Sequence, residues 1–313
     1  MTTTLFSPPI DPSTNPFANP NFFDLNFDAN TPDDVQLTPG LLAGYAGGLR
    51  GLDGNDTVRG SADSEKFNGN SGNDVLYGGD GGDTILGGRD DDKIFGENGD
   101  DILAGNLSKD FIDGGLGNDV VRGGKDDDFL VGGEGNDTIS GDFGRDVLIG
   151  GSGNDVFILR TDTTVPESGD ADVLLDFNKF NDFIGLTDGV SEGQLELQAF
   201  QSNIKKEIQK ALQKENFNNI QVELYTSLAF DYLKSFPNSA IPLPSQLQES
   251  LMKKGLGNKQ ELEAVLSSYI RYQDLDPNGD GVIEGTHIKY NGNYLGTVIN
   301  VTAGDLVGRF IGL

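Results

Sequence analysis

The chain contains no cysteine, and its 313 residues include a single histidine, His287. The first absence excludes a disulfide framework, a Cys-ligated zinc or iron–sulfur site and a thiol nucleophile. The second rules out a two-histidine metal site. Basic residues are scarce, 22 Lys and Arg against 50 Asp and Glu, a formal net charge of −28. That balance opposes nucleic acid and anionic lipid, both of which attract Lys/Arg clusters, and makes cations the natural counter-ions. Apolar residues are few, at 35%, so a conventional core is confined to part of the chain. No uninterrupted apolar run approaches the ~20 residues of a membrane-spanning helix. Residues 1–49 hold no Lys or Arg and no apolar stretch of the secretory type. This argues against an N-terminal secretion signal, so export would need another route.

What the chain has in excess is glycine, 45 residues of it, and much of it is periodic. Steps of nine from Gly51 land on Gly60, Gly69, Gly78, Gly87, Gly96, Gly105, Gly114, Gly123, Gly132, Gly141 and Gly150, twelve units in one phase. Position six of successive units is Asp56, Glu65, Asp74, Asp83, Asp92, Asp101, Asp110, Asp119, Asp128, Asp137, Asp146 and Asp155. Position eight is apolar in all twelve, from Val58 and Phe67 to Leu148 and Phe157. A disordered acidic linker would not keep phase over 108 residues.

The spacing has a physical reading. Glycine at positions one, two and four permits positive φ and a tight turn with converging carbonyls. The segment after the acid, such as Thr84-Ile85-Leu86, suits a very short strand with one buried side chain. Two units then make a coil of 18 residues, and stacked coils form two parallel sheets around the position-eight row. Stacking sets the acid of each unit above the acid two units on, with carbonyl oxygens between. Ca²⁺ takes six to eight such hard oxygens, whereas Mg²⁺ demands a tighter octahedron. Without cations the arrangement is repulsive, because residues 51–158 hold 24 acids and 8 bases, net −16. One buried side chain per nine residues cannot order so acidic a chain, so the cation-free state is expected to be disordered.

The repeat resembles the RTX family of calcium-binding nonapeptides, G-G-x-G-x-D-x-U-x. The cleanest copies begin at Gly78, Gly114, Gly132 and Gly150, as in Gly132-Gly133-Glu134-Gly135-Asn136-Asp137. The resemblance implies a right-handed parallel β-roll, calcium between stacked loops and export by a type I secretion apparatus. Units beginning Gly60 and Gly105 depart from the pattern, and sites using them are the doubtful ones.

Residues 1–50 carry seven of the twelve prolines and read as extended or irregular, their Phe residues either capping the first coil or sitting in a linker. Residues 159–199 contain Asp170-Ala171-Asp172-Val173-Leu174-Leu175-Asp176-Phe177 and Asn181-Asp182-Phe183-Ile184-Gly185-Leu186. They read as β structure closing the roll, similar to the segment that follows the repeats in serralysin-type proteins. Residues 200–273 read as an inserted helical subdomain with stripes such as Ile204, Ile208 and Leu212. The stripes either pack on one another or offer a face to a protein or surface partner. Within 274–313, Asp276, Asn278, Asp280 and Glu284 resemble an EF-hand-type loop, with His287 where a bidentate Glu is expected. A calcium site and a plain Asx-rich turn both fit. A hairpin across Asn291-Gly292 follows, then an apolar, acid-led segment, 305–313, loosely like the uncleaved signals of RTX proteins.

The expected fold is therefore mainly β: a β-roll over 51–158, a β closing segment and a helical insert. The expected function is that of a secreted calcium-binding protein without catalysis, holding about 7 to 11 Ca²⁺ ions. The metal ligands would be Asp56, Asp74, Asp83, Asp92, Asp101, Asp110, Asp119, Asp128, Asp137, Asp146 and Asp155, with Asp276, Asn278, Asp280 and Glu284. The chain has no H-E-x-x-H and no G-x-S-x-G, so an RTX-linked hydrolase would have to use carboxylates. A cytolysin-like protein acting through the helical insert is the other alternative.

Overall fold

The computed structural model describes residues 22–24, 32, 34–43, 46–51, 53–167, 170–203 and 282–313. The chain divides into two compact units, one of Met1–Glu196 with Ile288–Thr297 and Leu306–Leu313, the other of Leu197–His287 with Val298–Asp305.

The first unit is a parallel β-solenoid, as the nine-residue period predicts. Its strands run six residues, Val75–Asp80, Thr84–Arg89, Lys93–Asn98 and so on to Val147–Ser152, and alternate between two sheets. Each strand pairs with the strand two units on, in a register of 18 residues: Ile112 lies opposite both Ile94 and Leu130. Burial alternates along each strand, placing position eight and the following glycine inward. Position-eight side chains thus stack into two rows, Leu49 through Phe157 to Ile184 and Val58 through Leu148 to Leu174, none more than 2% exposed. The β-branched and aromatic residues at positions seven to nine suit this half-buried surface.

The position-one glycines depart from the expected turn role. Positive φ occurs at positions two and four, for example Gly133 at 117° and Gly135 at 139°, but not at Gly132, which lies inside a strand. A Cβ there would stand 2.5 Å from Asp137 Oδ2 and 2.6 Å from the Gly150 carbonyl oxygen. Position one is glycine for lack of room, and the strands are correspondingly longer than predicted.

The solenoid extends beyond 51–158 at both ends. Phe22–Asp24 pairs with Gly48–Arg50, and Asp34–Gln36 with Thr57–Arg59. At the far end Asp172–Leu174 and Phe183–Leu186 add the expected closing strands. Phe310–Gly312 then pairs with Ile184–Leu186, so the segment read as an export signal is also part of the first sheet.

The second unit contains most of the strand Leu195–Asn203 and the base of a hairpin, Val282–Tyr290 with Asn293–Ile299. The hairpin turns as predicted at Asn291 and Gly292, both at positive φ (52° and 80°). Phe200 stacks on His287 with centroids 4.3 Å apart. Residues 200–203 are strand, which corrects the predicted start of the helical insert; the rest of that expectation, 204–273, lies outside the described residues. Among the described residues helix is limited to Asp170, Glu192–Gln194 and Ala303–Leu306.

Candidate metal centre

Each turn of the solenoid spans positions four to six, and its acid points back into the stack. The backbone N–H of Asp119 donates to Oδ1 of Asp137 at 2.8 Å, and that of Asp137 to Oδ1 of Asp155 at 3.0 Å. The same bond joins Asp56 to Asp74, Asp74 to Asp92, Asp92 to Asp110, Asp110 to Asp128 and Asp128 to Asp146 on one side. On the other it joins Glu65 to Asp83, Asp83 to Asp101 and Asp101 to Asp119. Every predicted repeat aspartate therefore lies in one of two 18-residue ladders.

Oδ1 is thus satisfied, but Oδ2 is not. In ten aspartates, Asp74 through Asp155, Oδ2 is buried with no hydrogen-bond partner. Leaving a charged acceptor unsatisfied costs more than a net hydrogen bond returns, so native folds rarely tolerate it without an ion or water. The surroundings are oxygen-rich. The position-four glycines stack closely, Gly117 over the Gly99 carbonyl and Gly135 over that of Gly117. No group of three or more His, Asp or Glu side chains converges among the described residues. A cation here would therefore be held by one or two carboxylate oxygens together with backbone carbonyls. That donor set is hard, flexible and all-oxygen, which fits Ca²⁺.

Electrostatics report the same deficit. Burial raises the aspartates above the ordinary carboxylate range: Asp128 to about 9, Asp92 to about 8 and Asp119 to about 7, against the relief from the backbone N–H each accepts. Neighbouring carboxylates add to the rise, Asp146 and Asp110 for Asp128, and Asp137 and Asp101 for Asp119. Metal-free carboxylates in this setting resist ionisation.

The two irregular units behave differently. Glu65 turns back on its own turn, where Oε2 accepts from the Ser61 N–H at 3.1 Å and Oε1 meets the Ser61 hydroxyl. Its carboxylate is spent locally. Asp110 of the Gly105 unit keeps the ladder bond and the orphaned Oδ2, so that unit is not impaired at its acid.

Three acids that sequence reasoning did not single out as ligands complete the stack. Asp172 Oδ1 accepts from the Asp146 N–H at 3.1 Å, and Asp182 Oδ1 from the Asp155 N–H at 3.0 Å. Asp176 accepts from both Gly150 and Gly151 at 2.8 Å. Their offsets of 25 to 27 residues hide them from a nine-residue search. The signal that finds them is Asp-x-apolar, Asp172-Val173-Leu174 and Asp182-Phe183-Ile184, which copies positions six to eight. Of the EF-hand-like set, Asp276, Asn278 and Asp280 lie outside the described residues; Glu284 is exposed on a strand and accepts from Gln201 Nε2 at 2.6 Å.

Comparison with protein families agrees with this geometry. The family model for the RTX calcium-binding nonapeptide repeat, four copies long, matches residues 49–76, 77–112, 95–130, 105–139 and 122–157. These residues belong to the RTX calcium-binding repeat family. The RTX solenoid is thus a calcium-binding β-roll, and its matched span coincides with the two aspartate ladders. A comparison with curated proteins finds no match to the chain.

Proposed function

We propose that the chain is a secreted, non-catalytic calcium-binding RTX protein whose roll folds on taking up Ca²⁺ outside the cell. The observation that carries this reading is the set of ten buried, unpartnered Asp Oδ2 atoms, aligned in two ladders. A fold that buries so much uncompensated acid is weak without cations, and stable when each gap holds one. Cytosolic Ca²⁺ scarcity would keep the chain unfolded for a type I exporter, and extracellular Ca²⁺ would fold it. The ligands are the repeat aspartates, with Asp172 and Asp182 as the closing rung. A structural role is supported by where the raised carboxylates sit: Asp92, Asp119, Asp128 and their equivalents repeat one environment, Asp146 departing from it only in pairing with Asp172 at the closing rung.

The test is calcium titration into chelator-treated protein, followed by far-UV circular dichroism. β signal should rise cooperatively with Ca²⁺. A fully formed roll in excess chelator would make calcium an accessory and sink the reading. Export is tested separately, by removing about the last 50 residues and assaying the medium of a type I-competent host. Undiminished secretion of that variant would refute the proposed route.

A further inference from the structure

Position four of the turn is glycine in eight of the twelve units, at φ between 114° (Gly81) and 153° (Gly144). A side chain has no room at that φ. A Cβ on Gly117 would meet the Gly99 carbonyl, and one on Gly144 would meet that of Asp126 while standing 3.1 Å from Asp146 Oδ1. Position four thus looks onto the aspartate ladder and onto the carbonyls between its rungs. Three neighbouring turns of the Asp56–Asp146 ladder break the rule. Asp90, Ser108 and Asp126 hold position four in the Gly87, Gly105 and Gly123 units, at φ 71°, 78° and 74°. This is the left-handed helical region, which Asp and Asn enter more readily than most side chains.

The changed φ admits a side chain, and the Asp90 carboxylate reaches across to the coil before: its Oδ2 accepts from the N–H of Gly72, the position-four residue there, at 3.2 Å. The gap it spans lies between Asp74 and Asp92, each 1% exposed with Oδ2 unpartnered. Asp126 holds the equivalent place two coils on, beside Asp110 and Asp128, each 3% exposed and likewise orphaned at Oδ2. After burial itself, Asp90 helps to hold Asp74 and Asp92 above the ordinary carboxylate range, and Asp126 does the same for Asp110 and Asp128. Asp63, the position-four acid of the other ladder, is differently placed: it is not at positive φ, and its Oδ2 accepts from the Gly40 N–H.

We propose that Asp90 and Asp126 are additional calcium ligands, each adding a carboxylate from position four to one gap and making these two gaps the tightest sites of the roll. The inference rests on the calcium reading above. Elsewhere a gap offers the position-six carboxylates and backbone carbonyls alone, and Ca²⁺ affinity rises with the charge count of its ligands. Ser108 gives the gap between them only a neutral hydroxyl, which keeps the two added charges one coil apart.

The test is calorimetric Ca²⁺ titration of the full chain after chelation, comparing wild type with Asp90→Asn, Asp126→Asn and the double variant. Asparagine keeps the shape of the side chain and its tolerance of the left-handed turn, and removes the charge. Each single variant should weaken one tight site about tenfold, and the double variant should lose the tight phase. Asp80→Asn removes the same charge from an exposed turn residue whose Oδ1 bonds the Asn98 amide, and should leave the tight phase intact. Far-UV circular dichroism in saturating Ca²⁺ should show the same roll in all variants. Asp90→Asn and Asp126→Asn titrating like Asp80→Asn would reduce both acids to turn formers and overturn the proposal while leaving the calcium reading intact. Wild-type protein that takes up no calcium would overturn both.

Discussion

The main-chain N–H of Asp119 points at Asp137 Oδ1, 2.8 Å away and 18 residues on, while Asp137 Oδ2 has no partner. One carboxylate is divided between two tasks: Oδ1 fixes the register of stacked coils, and Oδ2 faces the gap a cation would fill. The division makes the tasks separable by substitution. Asp137→Asn keeps an acceptor for the Asp119 N–H but removes the charge, whereas Asp137→Ala removes both. Both should raise the Ca²⁺ midpoint of folding, Ala by more, the difference being the ~0.5–1.5 kcal/mol net worth of one hydrogen bond. Calorimetric titration of the two variants measures it; equal midpoints would mean that the register bond contributes nothing.

Gly132 lies against the same carboxylate, with space for no Cβ beside Asp137 Oδ2 and the Gly150 carbonyl. Its φ is not in the left-handed region, so alanine is acceptable to the backbone and the conflict is purely steric. Gly132→Ala should therefore displace the ion-facing oxygen and weaken calcium binding about as much as Asp137→Ala, although it deletes no ligand. Gly193, where an added Cβ meets nothing within 4 Å and φ is likewise outside the left-handed region, is the matched control away from the repeats. Calcium affinities of Gly132→Ala, Asp137→Ala and Gly193→Ala decide the matter, and an unchanged Gly132→Ala would exclude the steric reading.

The roll was legible in the sequence because both periodic features have one cause each: position eight is apolar since it fills the core, and position six is acidic since it stacks. The glycine at position one was misread, because periodicity cannot distinguish a glycine needed for positive φ from one excluded by a neighbour's oxygen. Asp172 and Asp182 escaped because the closing turns change length, shifting the offset from 18 to 26 and 27 while the Asp-x-apolar triplet persists. Phe310–Gly312 was visible only as an apolar segment, since its pairing with Ile184–Leu186 is set more than 120 residues away. Glu65 shows the opposite limit: one extra methylene lets the carboxylate reach Ser61, an outcome side-chain length allows but spacing does not reveal.

Ion count follows from the ladders. Ten orphaned oxygens correspond to ten gaps, five on each side, and Glu65 withdraws its carboxylate from one of them. Native mass spectrometry in calcium should show about 7 to 10 ions from the roll, depending on how many gaps fill. Ten would bring the formal charge from −28 to −8. Glu65→Asp, which shortens the side chain away from Ser61, should add occupancy or tighten the weakest site. One or two ions in all would refute the stacked-gap arrangement.

Acidity should act in opposite directions on the two states of the roll. Burial sets the folded, metal-free aspartates at about 6 to 9, Asp101 at the low end and Asp128 at the high end, above the ~3.9 of an unfolded chain. The folded state therefore binds more protons than the unfolded one between those values, and stability must fall as pH rises through that window. Below about pH 4 both states are protonated and the penalty vanishes; above about 9 it is complete. In chelator, acidification from pH 8 toward 4.5 should thus increase β signal. With calcium the sign reverses, because the ion needs ionised carboxylates and protons compete for the same Oδ2 atoms, so the Ca²⁺ midpoint should climb as pH drops below about 7. Far-UV circular dichroism across pH, with and without chelator, measures both slopes. Parallel slopes in the two conditions would show that the buried aspartates are not the groups that couple calcium to folding.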